Sequence, residues 1–280
     1  MWKRLSKTPR TPPRVPDGVR IYAVGDLHGR VDLLETMLKL IDFDCSRFPI
    51  PRPIVVFLGD YIDRGPASRD VLDRLIARSR SAEIVFLKGN HEVFLSDFLR
   101  KPSVLEEWRR YGGLETLVSY GLKPSINPSF AELVELGHAF AKSFPDDHRQ
   151  FLATLTPSFS CGDFYFVHAG IRPGVRLRDQ READLLWIRD DFLLCEEPFE
   201  KFVVHGHTPV TEPDIRSNRA NIDTGAVQTG RLTCLIIERS KTLLYTTEAI
   251  TSDGHLEPPS SMVLVPPSRS SLKPIRAILD

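Results

Sequence analysis

The 280-residue chain lacks long apolar runs. Ile54–Leu58 is typical of its longest, far short of the ~20 residues a membrane helix needs. It also lacks an excess of either charge. Lys+Arg 37 balance Asp+Glu 37, so nothing in the overall charge calls for a nucleic-acid or membrane-surface partner. Cysteine is scarce. Cys45, Cys161, Cys195 and Cys234 are scattered with no CxxC pair, which argues against a zinc ribbon and a thioredoxin-type redox site. They are expected to be free thiols of a cytoplasmic protein. The basic head (Lys3, Arg4, Lys7, Arg10, Arg14) has no apolar core of the kind a signal peptide carries, which agrees with a cytoplasmic location.

Proline is present in quantity and is concentrated at the ends: 9 of the 22 fall in residues 1–20 and 251–280. Residues 1–19 are expected to be a flexible basic arm, and 251–280 a Pro/Ser-rich tail. Between them the body, 20–250, opens with regular alternation. Arg20–Val24, Ile54–Leu58 and Ile84–Leu87 are short apolar strands. Helical stripes follow them at Arg30–Ile41, Ser68–Ser79 and His91–Leu99. This order predicts a parallel sheet with right-handed crossovers. About 104–156 is mostly helical and is expected to be an insertion beside the sheet. Phe164–His168, Phe202–His205, Asn218–Ile222, Arg231–Glu238 and Thr242–Thr247 follow as strands with no long helices between the later ones. They predict a second, more antiparallel sheet.

The chemistry-bearing residues cluster at strand ends. Gly25-Asp26-Leu27-His28-Gly29, Gly59-Asp60-Tyr61-Ile62-Asp63-Arg64-Gly65 and Gly89-Asn90-His91-Glu92 each follow a predicted strand. His168-Ala169-Gly170 and His205-Gly206-His207-Thr208-Pro209 follow later ones. Five of the eight histidines lie in these elements. Ligands of open α/β sheets bind outside the carboxyl ends of the strands, so the five elements should converge on one crevice. Carboxylates, an amide oxygen and imidazoles together suit borderline-hard divalent ions. Two such ions ~4 Å apart would share one bridging carboxylate, and a hydroxide between them could attack phosphorus in line.

Taken in order, GDLHG, GDYIDRG, GNHE, HAG and HGHTP resemble the signature of the metallophosphoesterase superfamily. GDxxDRG with GNHE is similar to its phosphoprotein phosphatase branch. The stretches Leu186-Trp187-Ile188-Arg189-Asp190 and Ile222-Asp223-Thr224-Gly225-Ala226-Val227 resemble more narrowly the compact bacterial and bacteriophage-lambda-type serine/threonine phosphatases. The resemblance spans about 20–240. It implies a four-layer α/β/β/α sandwich of two mixed sheets with a helical insertion. It implies Asp26, His28 and Asp60 as ligands of one metal, and Asp60, Asn90, His168 and His207 as ligands of a second. His207 is preferred over His205, which takes a supporting position. His91 would protonate the leaving oxygen, oriented by Asp63. Arg64 and Arg189, with Asn90, would hold the phosphate. The implied reaction is phosphate monoester hydrolysis, first on phosphoserine or phosphothreonine of proteins and otherwise on small phosphate esters. The alternative is a symmetrical dinucleoside polyphosphate hydrolase such as one cleaving diadenosine tetraphosphate. Asp63 and Glu92 favour the protein phosphatase. Two divalent ions are implied, manganese first, iron or zinc otherwise. Oligomeric state is left open. Tyr111, Gly112 and Gly113 are expected to form a hinge, and Trp108 and Trp187 to belong to the core.

Overall fold

The computed structural model describes residues 12–249 and the backbone of 260–262. Its strands are β1 (Val19–Val24), β2 (Arg52–Phe57), β3 (Ile84–Phe86), β4 (Ser158–Cys161), β5 (Phe164–Val167), β6 (Phe202–His205), β7 (Asp214–Ile215), β8 (Arg219–Asn221), β9 (Thr233–Glu238), β10 (Lys241–Thr246) and β11 (Ser260–Met262). They form two mixed sheets, ordered β11-β10-β9-β1-β2-β3 and β4-β5-β6-β8-β7. β1, β2 and β3 run parallel, joined by helices α1 (Val31–Arg47) and α2 (Ser68–Ser79), and a third helix, α3 (Asn90–Phe98), follows β3.

The period-2 alternation of β1 and β2 explains the layers. Tyr22, Val24, Val55 and Phe57 face Leu34, Met37, Leu38 and Leu72 of the helices. Ile21, Ala23, Ile54 and Val56 face Phe164, Phe166 and Val204 of the second sheet. On that sheet's far side, Tyr165, Val167 and Val203 pack on Leu185, Ile188 and Phe192. The order is therefore helices, sheet, sheet, short helices. A strand buried on both faces must be apolar throughout, as VRIYAV largely is.

Two expectations about the sheets need correction. The strands predicted at Arg231–Glu238 and Thr242–Thr247 do not join the second sheet; as β9 and β10 they extend the first, with β9 antiparallel to β1. The second sheet is also less antiparallel than expected, since its centre β5-β6-β8 is parallel and only its edge pairs are antiparallel.

The insertion is built from short helical pieces between Pro102 and Thr154, and its Trp108, Leu117, Phe140 and Phe151 continue the helix-side core. Residues 12–18, assigned with the arm by sequence, are tied to the body. Val15 is fully buried and its N–H donates to the Arg239 carbonyl. Residues 1–11 of the arm, and the tail apart from β11, lie outside the described residues. All four cysteines are free thiols. Among the described residues no helix is long and apolar enough to cross a membrane.

Candidate metal centre

The turns after β1, β2 and β3 are laced together by backbone bonds. The N–H groups of Leu27 and His28 donate to the Asp60 carbonyl at 3.1 and 2.8 Å, and that of Gly29 to the Tyr61 carbonyl at 2.9 Å. Two glycines are required by close approach. A Cβ on Gly89 would collide with the Asp60 carboxylate, and one on Gly206 with that of Asp26. Left-handed backbone concentrates here. Six described non-glycine residues have positive φ, and five of them are His28, Asp60, Asp63, Arg64 and His207. Such conformations cost ~1–3 kcal/mol each and persist only where the surroundings impose them.

Asp60 stands at the centre, and its two oxygens face different groups. Oδ2 lies 3.5 Å from His28 Nε2 and 3.7 Å from His91 Nε2. Oδ1 lies 3.4 Å from His168 Nε2. Two buried clusters result, His28–Asp60–His91 and Asp60–His168–His207. Each contains ligand atoms within 4.8 Å of one another. In the second cluster Asn90 Oδ1 lies 2.9 Å from both His168 Nε2 and His207 Nδ1. The outer nitrogens are anchored: His28 Nδ1 to the Ile62 carbonyl at 2.8 Å, His168 Nδ1 to the Leu58 carbonyl at 2.9 Å. With Nδ1–H so engaged, each Nε2 lone pair is left facing Asp60. His207 donates its backbone N–H to Asp26 Oδ2 at 3.0 Å, while Asp26 Oδ1 and His207 Nε2 are buried without a partner.

The electrostatics match this geometry. Burial pushes His28 down to about 3 and lowers His168; burial together with the His168 ring pushes His207 down to about 2. The rings are therefore neutral at physiological pH, as ligation requires. Burial opposes the Asp60 carboxylate, but His168, His91, His28 and His207 outweigh it and hold the pKa below the usual range. Asp26 is pushed well up by burial and by the charges of Asp223 and Asp60, and burial lifts Asp223 to about 6. Lone pairs of two imidazoles and an amide oxygen crowded within 3.2 Å, beside carboxylates that repel one another, form a donor set that fits divalent cations.

His91 is nearly fully buried, and its Nδ1 lies 2.6 Å from Asp63 Oδ2. Burial works against its charged form, yet Asp60 and Asp63 prevail and raise its pKa. Asp63 is completely buried. Trp108 Nε1 donates to its Oδ2 at 2.6 Å, Thr116 Oγ1 to its Oδ1 at 2.5 Å, and its own N–H reaches Ser68 and Thr116 hydroxyls. Asp63 thus pairs with His91, and no ion pair to Arg64 forms. Arg64 is half-buried, with Nη1 3.0 Å from His28 Nε2 and Nη2 3.3 Å from His91 Nε2.

Arg189 is exposed, two residues after Trp187, whose ring lies 6.2 Å from that of His207, and its charge lowers the pKa of His168 and His207. It makes no ion pair with Asp190 or Asp191; Asp191 binds Arg172 instead. His205 points away, its ring edge-on to Phe192 at 4.9 Å. Glu92 works inside the scaffold. Its carboxylate accepts the backbone N–H groups of Asp60, Tyr61 and Gly89 at 2.8–3.0 Å.

Of three aromatic residues near the centre, one departs from expectation, Trp187, which is not core. Trp108 is core, but its N–H is spent on Asp63. Trp187 is 39% exposed, beside the His207 ring. Tyr111 is 36% exposed, edge-on to His91 at 6.2 Å. Trp187 lies in the Leu186–Asp190 stretch and Tyr111 beside the Gly112-Gly113 pair, whereas Trp108 lies in no motif, so its bond to Asp63 had no signal in the sequence.

A family model described as calcineurin-like phosphoesterase matches residues 19–234. Among curated proteins, the asymmetrical bis(5′-nucleosyl)-tetraphosphatase PrpE of Anoxybacillus flavithermus is 27% identical over 235 residues, covering 76% of this chain and 88% of that one. A solved structure provisionally described as a diadenosine tetraphosphatase aligns with TM-score 0.54 at 21% identity, covering 82% of this chain and 91% of that one. The cold-active protein-tyrosine phosphatase of a Shewanella species aligns with TM-score 0.55 at 17% identity, covering 89% and 83%. At these identities the two structures speak for the fold alone.

Proposed function

The chain belongs to the calcineurin-like phosphoesterase family, a family of metal-dependent phosphate-ester hydrolases, and from that premise we propose that its substrate is a dinucleoside polyphosphate. The hydrolytic part of the reading is carried by one observation, the two-sided Asp60 carboxylate facing separate donor groups. The substrate is carried by the named relative, whose asymmetrical cut is taken as the expectation here. Glu92 does not speak against it, because its carboxylate is consumed by three backbone N–H groups and favours neither substrate.

Asp26, His28 and Asp60 would hold one divalent ion, and Asp60, Asn90, His168 and His207 the other. Manganese leads the expectation, and the mixed O/N donor set also suits iron or zinc. When bound, such ions supply charge neutralisation at the phosphoryl oxygens and a water of lowered pKa. The chain's own groups do the rest. Arg64, aimed into the first cluster, and Arg189, beside the second, hold phosphate oxygens by charge-assisted hydrogen bonds. Asp63 orients His91 through Nδ1, leaving Nε2 to give a proton to the departing oxygen. Trp108 and Thr116 fix Asp63 in turn.

A serine/threonine protein phosphatase is the second reading. The buried His91–Asp63 pair favours it, because an alkoxide leaving group needs a proton far more than a nucleotide phosphate, whose pKa is ~6. The discriminating experiment follows products from diadenosine tetraphosphate and a phosphothreonine peptide with manganese. ATP plus AMP is the expected outcome. Two ADP would indicate the symmetrical cut, and faster phosphate release from the peptide would overturn the proposal in favour of the second reading.

A further inference from the structure

We infer that Tyr111 and Trp187 form a platform on which a nucleobase stacks, a step that rests on the dinucleotide reading. The two rings come from different parts of the chain, Tyr111 from the insertion and Trp187 from the end of the short helix Glu182–Trp187. They meet over Phe94, which is buried. Tyr111 stacks on Phe94 at 5.1 Å and 24°, and Trp187 stands edge-on to it at 5.8 Å and 89°. The exposed rings are 6.5 Å apart, inclined at 73°. Each also flanks the metal centre, Tyr111 beside His91 and Trp187 beside His207, both at 6.2 Å.

Position decides what the platform can take. Other aromatic side chains are exposed, Phe43, Phe48 and Phe130, but none of these three has a ring contact with a histidine of the centre. A ligand on Tyr111 or Trp187 is held within a few ångströms of groups built for phosphate. Arg64 and Arg189 supply the positive charge on that side. A flat π-system joined to a short anionic chain matches this juxtaposition, and a base linked through ribose to phosphates has that form. Stacking tolerates any base, since every base offers a π-face. The platform therefore favours nucleotides over base-free phosphates without choosing among bases. Phe94 beneath the rings fixes them before the ligand arrives, which limits the entropy lost on binding.

The test uses the manganese-loaded protein and two hydrolysis-resistant ligands, adenosine 5′-(α,β-methylene)diphosphate and base-free methylenediphosphonate. Calorimetry should give the adenosine ligand about fivefold or greater tighter binding, the low end of one stacking contact. Tyr111→Ala and Trp187→Leu should each erode that preference and leave methylenediphosphonate binding unchanged. Two outcomes overturn the platform: no preference in the parent protein, or a preference that survives in both variants. Thermal melting of the variants checks that the fold is intact. Turnover of diadenosine tetraphosphate is scored separately. Turnover without base preference removes the platform alone, and base preference without turnover removes the substrate alone.

Discussion

Trp108→Phe probes the hydrogen bond that joins the insertion to the buried His91–Asp63 pair, proposed above as the proton donor. Phenylalanine keeps an aromatic ring against Phe98, 5.3 Å away, and deletes the indole N–H that reaches Asp63 Oδ2 at 2.6 Å. A hydrogen bond to a charged acceptor contributes ~1.5–3 kcal/mol. The smaller ring leaves a gap costing ~1 kcal/mol more. Unfolding in urea should therefore show a loss of about 2.5–4 kcal/mol. The kinetic effect has a definite sign. With one donor gone, the Asp63 charge falls more fully on His91 Nδ1 and stabilises the imidazolium further. If His91 is the proton donor, it must be protonated to serve the alkoxide of a phosphothreonine peptide, so activity on that substrate falls as pH rises through its pKa. That limb should move to higher pH in the variant, and the rate below it should drop because a more basic imidazole is a weaker acid. Thr116→Val, which removes the 2.5 Å bond to the other oxygen, should act in the same direction. Stability within ~0.5 kcal/mol of the parent with an unmoved limb would refute the coupling.

Other outcomes follow from the same geometry. Asp60→Asn removes the negative charge shared by both donor clusters, so elemental analysis should find fewer than two ions per chain and turnover should vanish, while the metal-free melting temperature stays near the parent's; two retained ions would contradict the bridging role. His91→Asn should slow a phosphothreonine peptide far more than diadenosine tetraphosphate, because the nucleotide phosphate departs without help, and equal losses on both would remove the proton-donor assignment. Acid should destabilise the metal-free protein. His205 is held at about 3 by burial, so below the unfolded value of ~6.5 the unfolded chain binds a proton that the folded one refuses. Its contribution is complete above that value and declines as pH falls, by about 2 kcal/mol at pH 5. His205→Leu should flatten that part of the urea-midpoint profile, and an unchanged slope would show that the ring is accessible to protons.

How much of this was legible in the sequence depends on how local each requirement is. Donor side chains within a few residues of one another after an apolar strand, as Asp26 and His28 are, are constrained by a single turn, so GDLHG, GDYIDRG and GNHE could be read as convergent donors before any fold was drawn. The first sheet's parallel half was equally plain. Its antiparallel half was not, although TCLIIE carried a signal: Cys234 and Ile236 pack with the helices, Leu235 and Ile237 between the sheets, the same two-sided burial as β1. An uninterrupted apolar strand belongs in a covered sheet, and the short turn to β10 brings the next strand back beside it. The supports of the centre lay beyond such reasoning. Trp108 and Thr116 are 45 and 53 residues from Asp63, in an insertion with no motif, and only packing brings them there. The same holds for substrate choice. Glu92 belongs to a motif and looks discriminating, yet its carboxylate is taken up by three backbone N–H groups. Tyr111 and Trp187 come from separate stretches of the chain and are exposed at the centre's edge. Chemistry that must hold a metal is written in short patterns because its geometry is fixed by turns. On the reading proposed here, preference among phosphate esters rests on side chains that meet only after folding, and motif spacing carries no record of it.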